Sequence, residues 1–195
     1  MSREDDWSIP ASAQPRPKDL AFDLDATLDG VVHLHAEIAG DAFTASILGT
    51  ERYGSGVVIG ERGLVVTIGY LVTEAEAIVA KQVEAFRSWL TTNRHTAVQA
   101  HLLGFDFATG LALLQTLGRL DVPPLRIGTA DTVGLGEPVV LAAGGGRKAA
   151  LQSRLVGKRS FAGYWEYYLE EALFTVPAHP HWGGTACLAG DGSLI

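Results

Sequence analysis

The sequence predicts an all-β protein built as two lobes, and three observations carry that expectation. Charged residues make up only 19% of the chain and glycine is abundant, 23 of 195 residues. Typical domains have about 25% charged residues and about 7% glycine, so this balance points to strands and tight turns rather than long solvated helices. Short β-branched and aromatic runs then recur between glycine-containing turn signals. Finally, Gly118 to Arg126, with Pro123-Pro124 at its centre, is the clearest interior break and divides the chain.

Taken in order, residues 1–20 hold Pro10, Pro15 and Pro17 and little apolar content, which predicts a flexible tail. Residues 21–117 form the first lobe, 118–127 the linker and 128–195 the second lobe. Val31 to Ile38 and Ala42 to Leu48 read as strands. Gly54 to Gly60 and Leu64 to Ile68, joined by Glu61-Arg62-Gly63, read as a hairpin. Residues 73–90 break this rhythm. Thr73 and Glu76 suggest a capping box, and Val79, Val83, Phe86 and Leu90 recur at helical spacing. Thr96–Leu103 and Leu111–Thr116 complete the first lobe. In the second, Glu137–Ala143, Leu151–Lys158, Tyr167–Val176 and Thr185–Ala189 read as strands. Pro177 to Gly184 is a loop, and a strand starts again at Ser193.

Composition also excludes functions. No uncharged apolar run approaches the ~18 residues of a membrane span. The single cysteine, Cys187, forms no internal disulfide and no Cys-based zinc cluster. A net charge of −7 argues against a partner held by phosphate contacts, so no nucleic acid is expected. The acidic start Met1-Ser2-Arg3-Glu4-Asp5-Asp6 lacks an apolar core segment and is no secretory signal, so a cytoplasmic location is the default.

The motifs then resemble a known family. Gly54-Ser55-Gly56-Val57-Val58-Ile59 followed by Gly63-Leu64-Val65-Val66-Thr67 is similar to the G-S-G-x-V-I…G-x-I-L-T-N-A-H segment of trypsin-like serine proteases of the Deg (high-temperature-requirement) type. Gly104 to Leu114 resembles their G-x-D-x-x-T-D-L-A-L-L segment, Pro124–Gly128 and Val133–Val139 their linker and next strand, and His181-Trp182-Gly183-Gly184 their nucleophile loop. The likeness runs from about residue 30 to 195, in order. It implies two antiparallel six-stranded Greek-key barrels, the second incomplete because the chain ends before that barrel would close. It also implies an inserted helix near 73–88, with hairpin strands starting near Ser88.

The catalytic positions depart from the family pattern. The resemblance puts Tyr70 at the general-base position, Gly110 at the carboxylate position and Trp182 at the nucleophile position. Pro180 falls where the family has an oxyanion-hole glycine. An acyl-transfer triad needs a hydroxyl or thiol, a base with pKa near 7 and a carboxylate to orient it. Indole has only an N–H donor, a phenol of pKa near 10 is a poor base, and proline has no N–H. Thr67–Leu71, Thr109-Gly110, Phe161–Tyr167 and Ala178–Gly184 further resemble a bacterial subset with these same replacements, often followed by a PDZ-like domain. The resemblance therefore implies a pseudoprotease without a cofactor that binds a peptide or protein, with self-association carried as a further expectation.

Other constellations are weaker. His33/His35 and His179/His181 are i, i+2 pairs, but neither has a third convergent ligand at informative spacing, so no metal site is expected. Cys187 lies in an apolar run and reads as a small core residue. Gly144-Gly145-Gly146-Arg147-Lys148 lacks Walker A spacing. Candidate binding residues are Tyr70, Trp182, its neighbour His181, and Trp165 in the aromatic run Phe161–Tyr168. Two other readings stand beside this one: a peptidase with a relocated site using Cys187 or a histidine pair, and a structural scaffold for a PDZ-like module.

Overall fold

The computed structural model describes residues 8–74, 88–91, 97–163 and 168–195, with the backbone alone for 88–91. Among the described residues, ten strands form two antiparallel sheets. The first lobe is a closed barrel of β1 (Val31–Glu37), β2 (Glu51–Gly60), β3 (Leu64–Ile68), β4 (Ser88–Thr91), β5 (Ala97–Asp106) and β6 (Leu111–Thr116), in the order β1-β2-β3-β6-β5-β4. The second is a four-stranded sheet in the order β10-β7-β8-β9, from β7 (Pro138–Ala142), β8 (Ala150–Ala162), β9 (Tyr168–Val176) and β10 (Ala186–Leu188). No described helix is long and apolar enough to cross a membrane.

Period-two alternation explains the barrel. Val32, Leu34 and Ala36 of β1 point inward with Val58, Val65, Ala112 and Leu114, and form its core. Val31 and Val57 face the other way and join Val140, Ala142, Ala150, Ala186 and Leu188 of the second sheet. One hydrophobic layer thus sits between the lobes. The opposite face of the second sheet buries Val139, Leu141, Leu151 and Leu155.

Three expectations change. Residues 8–20, expected as a flexible tail, are packed: Ile9 is buried among Val133, Val139 and Leu155, and its N–H donates to the Lys148 carbonyl at 2.8 Å. The segment contributes an apolar side chain that covers the outer face of the second sheet. A helix, α1 (Leu24–Asp29), was not anticipated. Asp23 caps it by accepting from the Ala26 N–H at 3.2 Å, Leu24 and Leu28 enter the interlobe layer, and Arg147 forms a two-pronged ion pair with Asp25.

The third change concerns 42–48, expected as a strand, which is a turn followed by the short helix α2 (Ala45–Leu48). Its cause is remote. The Glu74 carboxylate accepts from the Phe43 and Thr44 N–H groups at 2.7 and 2.6 Å, the donors a strand ladder would need. The inserted helix expected near 73–88 falls mostly on residues outside those described; its described ends, Thr73 and Ser88, lie in a turn and in β4. Strand pairing at Ser88 agrees with the family resemblance rather than with the helical periodicity, since β4 pairs with β1 and β5.

Arg52 ties these parts together. It occupies an inward position of β2 and is only 3% exposed. Its guanidinium donates to the carbonyls of Tyr70 (2.7 Å), Thr73 (3.3 Å) and Gly49 (3.3 Å), and to the Thr44 hydroxyl (2.7 Å). The Thr44 hydroxyl in turn donates to Glu74. Burial opposes ionisation of Glu74, but the Thr44 and Phe43 hydrogen bonds and the Arg52 charge hold its carboxyl below the usual range. Removing the cation strips a donor from three carbonyls and withdraws the charge that favours the Glu74 carboxylate. Arg52→Met is expected to lower unfolding stability by about 3–5 kcal/mol in urea titration, and a loss under ~1 kcal/mol would show the network to be dispensable.

Candidate functional site

β3 runs directly into a 3-10 turn, Gly69–Leu71. The turn is fixed on three sides. Gly69 donates its N–H to the Gly110 carbonyl at 2.6 Å, Arg52 holds the Tyr70 carbonyl, and the Thr73 hydroxyl bonds back to the Gly69 carbonyl at 3.0 Å. Gly69 also lies against the Phe105 ring, where a Cβ would come within 2.0 Å of a ring carbon. Gly110 ends a turn at φ +71° and donates to the Asp106 carbonyl at 2.8 Å. The Asp106 carboxylate closes that turn through the Ala108 N–H (3.0 Å) and the Thr109 hydroxyl (2.6 Å).

The third component is the loop after β9. Trp182 is 74% exposed, and its ring meets that of Tyr70 at 5.7 Å with a 43° tilt. Gly183 leaves room for this pairing, because a Cβ there would lie 2.5 Å from the Tyr70 hydroxyl. Tyr70, Gly110 and Trp182, far apart in sequence, thus converge at one place: Gly110 through Gly69, and Trp182 by ring contact. His181 is exposed beside Trp182. Trp165 lies outside the described residues.

His179 builds the loop from within. It is buried, with Nε2 at 3.0 Å from the Ala149 carbonyl and Nδ1 at 3.0 Å from the His181 N–H. Nδ1 also lies 3.0 Å from the His181 carbonyl; the Nε2–H tautomer satisfies the Ala149 carbonyl and lets Nδ1 accept from the His181 N–H, whereas the Nδ1–H tautomer satisfies the His181 carbonyl alone. Burial pushes this imidazole below its ordinary pKa, and it is neutral at pH 7. The consequence falls on the amides of the loop: Pro180 has no N–H, and that of His181 is occupied. Pro180 itself is exposed and borders a groove with Ile9, Pro10 and Leu151.

The remaining nucleophile and ligand candidates are structural. Ser55 is buried; its hydroxyl accepts from the Gly144 N–H at 3.1 Å and its N–H donates to the Gly183 carbonyl at 2.8 Å. Cys187 pairs with Leu141 in the sheet, and burial raises its thiol pKa to about 11. His33 is exposed on β1, and His35 stacks on Tyr53. Among the described residues no three His, Cys, Asp or Glu side chains converge as metal ligands. Sequence reasoning missed the role of Arg52, although its signal was present. Arg52 shares period-two parity with Gly54, Gly56 and Val58, so a charge stands on a core-facing row.

Comparison with known proteins fits this architecture. The family model described as a trypsin-like peptidase domain matches residues 54–195, and the chain belongs to that family. Among solved structures, the HtrA-type protease AlgW with tripeptide is 17% identical with TM-score 0.66, covering 89% of this chain and 53% of that one. Deg5 is 20% identical with TM-score 0.64, covering 87% and 78%. Rv3671c from M. tuberculosis H37Rv, in a mutant inactive form, is 17% identical with TM-score 0.64, covering 96% and 85%. These likenesses establish the fold. The chain spans about half the length of the HtrA-type protease AlgW. No curated protein matches by sequence.

Three measurements check this site. A long-range 1H–15N spectrum at pH 7 is expected to show the Nε2–H tautomer of His179, and the Nδ1–H tautomer would remove the His181 N–H to Nδ1 hydrogen bond and the one to the Ala149 carbonyl. Because the folded pKa is the lower one, the unfolded chain takes the proton first. Stability is therefore expected to fall as pH drops below about 6.5, with a shallower slope in His179→Gln. Native Cys187 should react with a disulfide reagent at pH 8 roughly a hundredfold slower than in the urea-unfolded chain; equal rates would expose it as a reactive thiol.

Proposed function

We propose that this chain is a catalytically inactive trypsin-like protease homologue that acts as a peptide- or protein-binding module. The observation that carries the reading is the Tyr70–Trp182 ring pair where the family resemblance places base and nucleophile. Neither side chain supplies a neutral-pH base or a hydroxyl attacking group of the required kind, and Gly110 has no carboxylate. Loss of such a triad as a unit costs about 10⁶-fold in turnover. An oxyanion donor is missing as well: Pro180, at the position where the resemblance places a donor glycine, has no N–H. One missing donor alone costs roughly 2.7–4 kcal/mol of transition-state stabilisation.

A relocated peptidase site finds little chemical support. Ser55 is enclosed in the lobe junction and the Cys187 thiol is raised to about 11. Binding suits the geometry better, because an exposed tryptophan braced by a tyrosine offers a rigid, amphipathic anchor of the kind enriched at interfaces. A peptide or protein partner is therefore the proposed ligand.

The folded protein is expected to remain unlabelled by a fluorophosphonate probe. Peptides selected on it from a random display library are expected to lose at least tenfold in affinity on Trp182→Ala, read by fluorescence polarisation. Stoichiometric labelling would establish a serine hydrolase. Selected peptides indifferent to Trp182 would remove the ring pair from the binding surface.

A further inference from the structure

We propose that the outer face of the β1–β2 ladder, formed by His35, Glu37, Glu51 and Tyr53, is a docking surface for an arginine carried on an extended segment of a partner protein. These four residues share one face, because His35 pairs with Tyr53 and Glu37 with Glu51 in the antiparallel register.

The platform is preformed. The Tyr53 and His35 rings stack at 4.4 Å with an interplanar angle of 1°. His35 covers one side of the phenol ring, while Tyr53 remains 65% exposed. The Tyr53 hydroxyl donates to the Glu51 carboxylate at 2.7 Å and so fixes both groups. Glu37 and Glu51 stand directly opposite each other, an arrangement that repels across an antiparallel pair. Among the described residues no cation pairs with either glutamate. The nearest in sequence, Arg52, points inward and is spent on carbonyls and Thr44. The face is therefore an exposed aromatic plane beside two uncompensated carboxylates.

Charge and shape select the occupant. A guanidinium is planar, stacks on an aromatic face and donates in a fork that spans two carboxylates, which an ammonium does not match. A cation seated there also removes the Glu37–Glu51 repulsion. The net charge of −7 favours approach of a basic segment. The surface lies on the opposite face of β2 from Gly54, which packs against the Gly183 carbonyl next to Trp182. Its occupancy does not depend on the ring pair binding anything.

The test is an NMR titration of the labelled full chain, in 150 mM salt, with N-acetyl-Gly-Ser-Arg-Ser-Gly-amide and its citrulline twin. The arginine peptide is expected to shift the Glu37, Glu51 and Tyr53 amide signals saturably, with the neutral twin at least tenfold weaker. The double substitution Glu37→Gln, Glu51→Gln should bring arginine down to the citrulline level. Tyr53→Leu, which keeps both charges, should weaken it at least threefold. Equal binding of the twins, unsaturable shifts spread over the surface, or indifference to Tyr53→Leu would each overturn the proposal. Because the read-out residues exclude Tyr70 and Trp182, such a failure is separate from any failure of the binding-module reading.

Discussion

The contact of Ser55 with the loop of the second lobe is the constraint on which the site depends. The Ser55 N–H donates to Gly183, its hydroxyl accepts from Gly144, and its carbonyl accepts from the Thr67 hydroxyl at 2.7 Å. Gly184, at φ +73°, presses so close that a Cβ would meet the Ser55 carbonyl oxygen at 2.0 Å. One residue of β2 therefore sets the position of β3, of the Gly144 turn and of the Trp182 loop together. Its polar groups are all matched at a buried junction, where an unmatched one would be costly.

From that pin the site follows by two short paths. Thr67 leads into the Gly69–Leu71 turn, which Arg52 and Gly110 lock from either side. Gly183 leads back to Trp182 and to His179, whose neutral ring bridges to Ala149. None of these connections needs a charged catalytic group. They hold the loop in place with glycines and carbonyls, which explains how the scaffold keeps its shape with Tyr70, Gly110 and Trp182 at its centre.

Much of the architecture was legible because it is local. The β2–β3 hairpin and β6 follow from alternating apolar runs and glycine turns, and the ordered motifs anticipated the double-lobed fold of a trypsin-like peptidase domain. What escaped was long-range. The 42–48 segment has strand composition, but Glu74, some thirty residues on, takes its amide donors. The α1 helix is only six residues long and depends on burial of Leu24 and Leu28 against the other lobe, which no local period announces. In the site, the meeting of Tyr70 with Trp182 came from family order, whereas the inward turn of Arg52 and the tautomer of His179 required partners that sequence does not name.

The placement of Ile9 also bears on how the molecule is made. Its backbone bonds to Lys148 and its side chain packs on strands from the far half of the chain. The segment around Ile9 therefore has no native partner until the strands of the second sheet have been synthesised. That closure raises the contact order of an already non-local β topology, which slows folding. The first lobe closes on its own strands, so a nascent chain would carry a finished barrel and an uncommitted segment around Ile9, with the interlobe layer exposed until the second sheet forms.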